Sequence, residues 1–144
     1  MPYARMTDDE WRDFLRAPVR PGMLATTRKD GRPHVAPVWY DLDDDGAIVF
    51  TTGVDTVKGH AIRRDGHAAL CVQDERPPFS FVLVEGETTW SEERDELRIW
   101  AARLGGRYMG ADRADEYGER NAVPGELLVR LTPTRVTSAR DLAE

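Results

Sequence analysis

The segment GVDTVKGHAIRRDG, residues 53–66, holds the residue types and spacing from which chemistry could start. It follows a β-rich run, IVFTT at 48–52, and scans as a short helix that opens on Asp55 as N-cap and carries Lys58 one turn in. A helix N-terminus at a strand end presents free backbone N–H groups and the positive end of the peptide dipoles, and Lys58 adds a full charge on a flexible stem. Together they suit a phosphate. The same residues also describe a capped helix with a solvated lysine, and this stretch alone leaves both readings open.

Little else is arranged for catalysis. His34, His60 and His67 fall in three different expected elements, with no spacing that sets up a metal site. Neither GxSxG nor GxGxxG occurs. The single cysteine, Cys71, excludes an internal disulfide and a multi-thiolate zinc site within one chain; in the apolar run HAALCV it reads as a small buried hydrophobe. Acidic residues crowd turns and helix starts, where they serve solubility and capping. An enzyme built on this sequence would therefore draw its chemistry from a bound cofactor.

Composition narrows the classes. A chain of 144 residues, 40% hydrophobic and 32% charged, fits one soluble domain with a real core. The net charge of −6 argues against general binding to nucleic acid or anionic membrane, while leaving room for a local basic pocket. No run approaches the roughly 20 apolar residues of a membrane span, and the N-terminus lacks an apolar signal core, so the expected location is the cytoplasm.

The elements that must position Lys58 are mostly strands. Thr7 and Glu10 form a capping box ahead of WRDFL, with Trp11, Phe14 and Leu15 on one face of a helix running to about residue 17. GMLATTR at 22–28 is a first strand, and Asp30-Gly31 turns it into a second, PHVAPVWY at 33–40. Pro33 and Pro37 cannot donate to a ladder, so this strand belongs at an edge or contains a bulge. His34, Ala36, Val38 and Tyr40 share one face; Pro33, Val35, Pro37 and Trp39 share the other. Both are largely apolar, which places barrel interior on one side and a ligand or partner on the other. An acidic turn over 41–46 leads to the third strand at 48–52. After the Lys58 helix come a fourth strand at 67–73 and a long fifth at 79–90, bent by Gly86. Ser91 caps a helix over 92–104 that Gly105-Gly106 ends, and a peripheral charged helix follows over 113–120. Two strands, 126–132 and 135–138, close the chain around Pro133. The sum is a mainly β, α+β domain: six to seven antiparallel strands rolled into a small barrel with short flanking helices.

The order of GRPHVAPVWY, IVFTTG, DTVKGHAIRRDG and HAALCV resembles the pyridoxamine 5′-phosphate oxidase-like split β-barrel superfamily. Through LGGRYMG and ADEYGERNAVPGELLVRLTPTRV it is most similar to the branch of deazaflavin-dependent oxidoreductases that use coenzyme F-420. The likeness spans residues 15–136 and rests on order and spacing. It implies a homodimer of split barrels with two cofactor sites at the subunit interface. It also implies that Lys58 binds the cofactor phosphate, that Thr51 and Thr52 help hold it, and that His34, Ala36, Pro37 and Val38 line the ring system. Arg63 is a further basic contact or a solvated arginine. Many relatives carry an arginine just before this lysine, where this chain has Thr56 and Val57; the loss favours F-420 over FMN. The extended C-terminal region that holds vitamin B6 substrates is missing, so B6 oxidation is not expected. The implied reaction is hydride transfer from reduced F-420 to an enone, quinone or similar conjugated acceptor. No side chain is needed as an obligatory acid, although Tyr40 or His34 could supply a proton. An FMN-dependent reductase or oxidase, or a cofactor-binding protein without turnover, are the alternatives.

Overall fold

The capping box forms as expected: the Thr7 hydroxyl accepts the Glu10 N–H at 3.2 Å and a Glu10 carboxylate oxygen accepts the Thr7 N–H at 2.9 Å. From there the computed structural model, which describes residues 4–144, runs α1 (Asp8–Arg16), β1 (Gly22–Thr27), β2 (Pro33–Val38), β3 (Asp41–Leu42), β4 (Ile48–Gly53), α2 (Val57–Asp65), β5 (His67–Asp74), β6 (Ser80–Ser91), α3 (Arg94–Met109), α4 (Ala114–Asn121) and β7 (Glu126–Ala139). The seven strands form one antiparallel sheet in the order β2-β1-β5-β6-β7-β4-β3. Among the described residues no helix is long and apolar enough to cross a membrane.

The two edges of this sheet, β2 and β3, are neighbours in sequence, joined only by Trp39 and Tyr40. Three peptide units from Val38 to Asp41 reach at most about 11 Å, so the sheet must roll until its edges nearly meet. They do not pair. The barrel is closed by covalent chain and stays split between β2 and β3. Inward residues such as Leu24, Leu70, Val84, Phe50 and Val129 fill it, with Trp11 and Leu15 of α1 plugging one end. β4 is buried on both faces over Ile48, Val49 and Phe50, because α3 covers its outer side through Leu97 and Trp100 packed on Val49 and Leu128.

Several sequence expectations shift. The residues 126–138 make one strand rather than two: the register with β6 slips at Glu85/Gly86, Thr134 becomes the extra residue, and Pro133 sits at that bulge, where its missing N–H costs no ladder bond. The acidic run at 41–46 is not only a turn, since Asp41 and Leu42 form β3. Glu93, not Ser91, caps α3, accepting the Asp95 and Glu96 N–H groups at 3.1 and 2.7 Å. Gly105-Gly106 does not end that helix. A Cβ on Gly105 would lie 2.3 Å from the Tyr117 Cβ, so the glycine is a notch that receives α4. Tyr117 is only 5% exposed, and α4 is therefore packed rather than peripheral. Cys71 is half-buried on the outward face of β5 instead of lying in the core.

The crossover is clamped by α3. Asp41 accepts Arg103 Nε at 2.9 Å and lies 3.7 Å from Arg107 Nη1. Arg103 also donates to the Leu42 carbonyl at 2.9 Å, and Arg107 to the Leu15 and Arg16 carbonyls at 2.9 and 2.8 Å. Asp41→Asn keeps the shape and removes the charge that both guanidiniums share. It is expected to cost about 2 kcal/mol, read as an earlier urea midpoint with an unchanged slope.

Candidate functional site: a cavity at the barrel split

A cavity of about 310 Å³ opens beside the split. Pro37, Val38 and Trp39 of the crossover form one part of its lining; Thr51, Thr52 and Gly53 at the end of β4, with Thr56 and Lys58 of the α2 start, form another; Ala101 and Leu104 of α3 and the polar Asn121 and Glu126 complete it. The strand end and helix start are built as a unit. Thr56, not Asp55, is the N-cap: its hydroxyl accepts the Gly59 N–H at 3.0 Å, donates to the Gly53 carbonyl at 2.8 Å and stands 3.0 Å from the Thr52 hydroxyl. Lys58 is therefore the second residue of α2 rather than one turn in. The Val57 and Lys58 N–H groups precede the first intrahelical bond, from His60 N–H to the Thr56 carbonyl, and belong to the unpaired first turn. Gly59 allows this closeness, since a Cβ there would lie 2.1 Å from the Gly53 carbonyl oxygen.

The apolar wall is held by aromatic packing. Trp39 stacks on Tyr108 with ring centroids 5.2 Å apart at 4°, and meets Tyr117 edge-on at 5.6 Å. The Tyr108 hydroxyl donates to the Arg20 carbonyl at 2.7 Å and accepts the Tyr40 N–H at 3.3 Å. Burial pushes the Tyr108 phenol up. Tyr40 itself is fully buried inside the barrel, and its hydroxyl donates to the Leu15 carbonyl at 2.8 Å. Burial, reinforced by Tyr108, raises its phenol far above the ordinary range. Tyr40 thus does not reach the cavity as a proton donor; β2 ends at Val38 and the chain turns before it.

Of the residues singled out in the sequence, Pro37, Val38, Thr51, Thr52 and Lys58 come together in this cavity, and His34, Ala36 and Arg63 do not line it. His34 and Ala36 sit further along β2; His34 lies opposite Thr26, and both His34 Nδ1 and Thr26 Oγ1 are buried without a partner. Arg63 donates to the Val54 carbonyl at 2.9 Å and approaches His60 Nδ1 at 3.3 Å. Thr56, Trp39, Asn121 and Glu126 are lining residues that sequence reasoning missed. Thr56 had a signal, a hydroxyl three residues before a glycine at a helix start. Glu126 had none, because only the register places it beside Gly53. Burial raises the Glu126 carboxyl above its usual range, with Lys58 pulling it partly back. Among the described residues no group of three or more histidine, cysteine or acidic side chains is arranged to hold a metal.

Comparison with known proteins gives this geometry a context. The chain is 27% identical to the conserved hypothetical protein Rv2991 from Mycobacterium tuberculosis, with a TM-score of 0.82 over 94% of this chain and 86% of that one. It is 25% identical to an F420 reductase, with a TM-score of 0.68 over 88% of this chain and 94% of that one. The heme storage protein HutZ from Vibrio cholerae shares the fold at 15% identity, with a TM-score of 0.72 over 95% and 98% of the two chains. No curated protein matches the sequence significantly. The family model described as pyridoxamine 5′-phosphate oxidase matches residues 7–139, nearly the whole of this split barrel, and the chain belongs to that family.

Proposed function

We propose that this protein is a cytoplasmic oxidoreductase that uses coenzyme F-420 to reduce a conjugated small molecule such as an enone or quinone. The observation that carries the reading is one cavity that joins a phosphate-suited corner to an apolar wall. In the corner are Thr51 and Thr52 at the end of β4, the unpaired first-turn N–H groups of α2 that Thr56 caps, and the Lys58 ammonium, which takes part in no ion pair among the described residues. These donors fit a phosphate. Pro37, Val38 and Trp39 fit the face of a flat ring system. When bound, reduced F-420 supplies the hydride. The chain's own part is to hold the phosphate, keep water from the apolar wall and leave space for an acceptor. A single cation with uncharged Thr56 and Val57 beside it suits F-420 better than the more highly charged phosphate of FMN, and the likeness to an F420 reductase supports the same choice.

Side-by-side fluorescence titration of the ligand-free protein with F-420 and FMN is the direct test, with tighter F-420 binding expected and an FMN preference refuting the cofactor assignment. Lys58→Ala is expected to weaken F-420 at least tenfold, the scale of one charge-assisted hydrogen bond; unchanged affinity would remove Lys58 from the site.

The working unit in this reading is a homodimer. The outward face of β1 and β2 exposes Val35 at 57% and Met23 at 42%, and the register continues it as Val35-Ala25-Ala69 and Pro37-Met23-Cys71-Leu83. A second copy covering this face removes a contiguous apolar strip from water. Sedimentation should find a dimer for the wild type and a monomer for Val35→Asp; a wild-type monomer would exclude the arrangement.

A further inference from the structure

One cavity-lining group works against a phosphate. Glu126 faces the cavity that holds Lys58, yet the two form no ion pair, and the Glu126 carboxylate has no hydrogen-bonded partner among the described residues. Its Cα is paired with Gly53 across β4 and β7, and Oε1 lies 3.8 Å from where a Cβ on Gly53 would stand. The carboxylate is therefore held at the strand end from which Thr51, Thr52 and Thr56 lead into α2. Other charged groups near it are Lys58 from α2 and, across an adjoining cavity of about 370 Å³, Glu92 and Arg94 at the start of α3. β4 contributes only the uncharged Thr51, Thr52 and Gly53, and α4 only the neutral Asn121.

We propose that Glu126 makes this cavity a selector of phosphate charge, admitting a singly charged phosphodiester and opposing a doubly charged phosphomonoester. The inference rests on the cofactor reading above and names the feature of the ligand that the site discriminates. One lysine balances one carboxylate, so the corner is near neutral before the ligand arrives. At a separation of several ångströms and an intermediate dielectric, each further negative charge on the phosphate in the corner costs on the order of tenfold in affinity. F-420 carries its phosphate as a diester with one charge. FMN is a monoester whose second ionisation lies near 6, so it is mostly doubly charged at neutral pH. Burial already raises the Glu126 carboxyl, and a nearby dianion raises it further, so monoester binding is coupled to proton uptake at this residue. Monoester affinity should therefore fall as pH rises through the raised carboxyl value, more steeply than diester affinity.

The test titrates the full chain and Glu126→Gln with F-420, FMN and riboflavin, which lacks the phosphate, from about pH 5.5 to 8.5. In the variant, the preference for F-420 over FMN should shrink on the order of tenfold, the FMN pH slope should flatten toward that of the ligand's own ionisation, and riboflavin affinity should not change. Circular dichroism checks the fold, and Glu126→Ala provides a second variant. An unchanged preference in both folded variants, with Lys58→Ala still weakening F-420, overturns the selector and leaves the cofactor reading standing. If neither F-420 nor FMN binds the wild type, both fall together.

Discussion

The shared carboxylate of Asp41, held between Arg103 and Arg107, is the interaction on which the rest of the molecule depends. It fixes the one place where the sheet has no hydrogen bonds to fix it. The chain leaves β2, crosses the split as Trp39 and Tyr40, and must land in register on β4 to begin β3. Two guanidiniums from α3 hold the landing point, and the same helix supplies Tyr108, whose hydroxyl receives the Tyr40 amide and whose ring supports Trp39. An exposed pair of this kind would contribute little. Here the Asp41 and Arg107 side chains are 13% and 12% exposed, so each would be left poorly hydrated without the other.

This arrangement gives α3 two roles. Its inner stripe makes a second core with β4 and β7, while its arginines and Tyr108 reach to the crossover. The cavity lies between those attachments, lined by Ala101 and Leu104 from the helix and by Trp39 from the crossover. Its apolar wall and the integrity of the barrel thus rest on the same helix. The phosphate-suited corner is assembled separately, by β4 running directly into α2.

Much of this was legible in the residues. Period-two burial marks β1 and β5, paired prolines put β2 at an edge, and Thr7 with Glu10 mark the start of α1. Lys58 could be singled out because a helix start behind a strand has a physical meaning independent of the rest of the fold. What could not be read depends on partners distant in sequence. Gly105 looks like a helix stop until Tyr117 is known to fill its notch. Asp41 looks like part of an acidic turn until two arginines more than sixty residues away close on it. Tyr40 alternates with His34 on paper, but the strand ends between them. Pro133 suggests a break, and only the bulge opposite Gly86 shows how one strand passes through it. Glu126 is a surface-type residue that the pairing of β7 with β4 turns toward the cavity.

The contact of Gly59 with the Gly53 carbonyl has a consequence for how such a site can diversify. Because α2 is seated by backbone against backbone and by the Thr56 cap, its position does not depend on the other side chains that surround the cavity. Residues 57, 58 and 126 can then be exchanged to alter the charge of the corner while Thr56 keeps the helix capped and in place. The scaffold works as a fixed socket with interchangeable contacts, and a change of ligand within it requires a few point substitutions rather than a rebuilt fold.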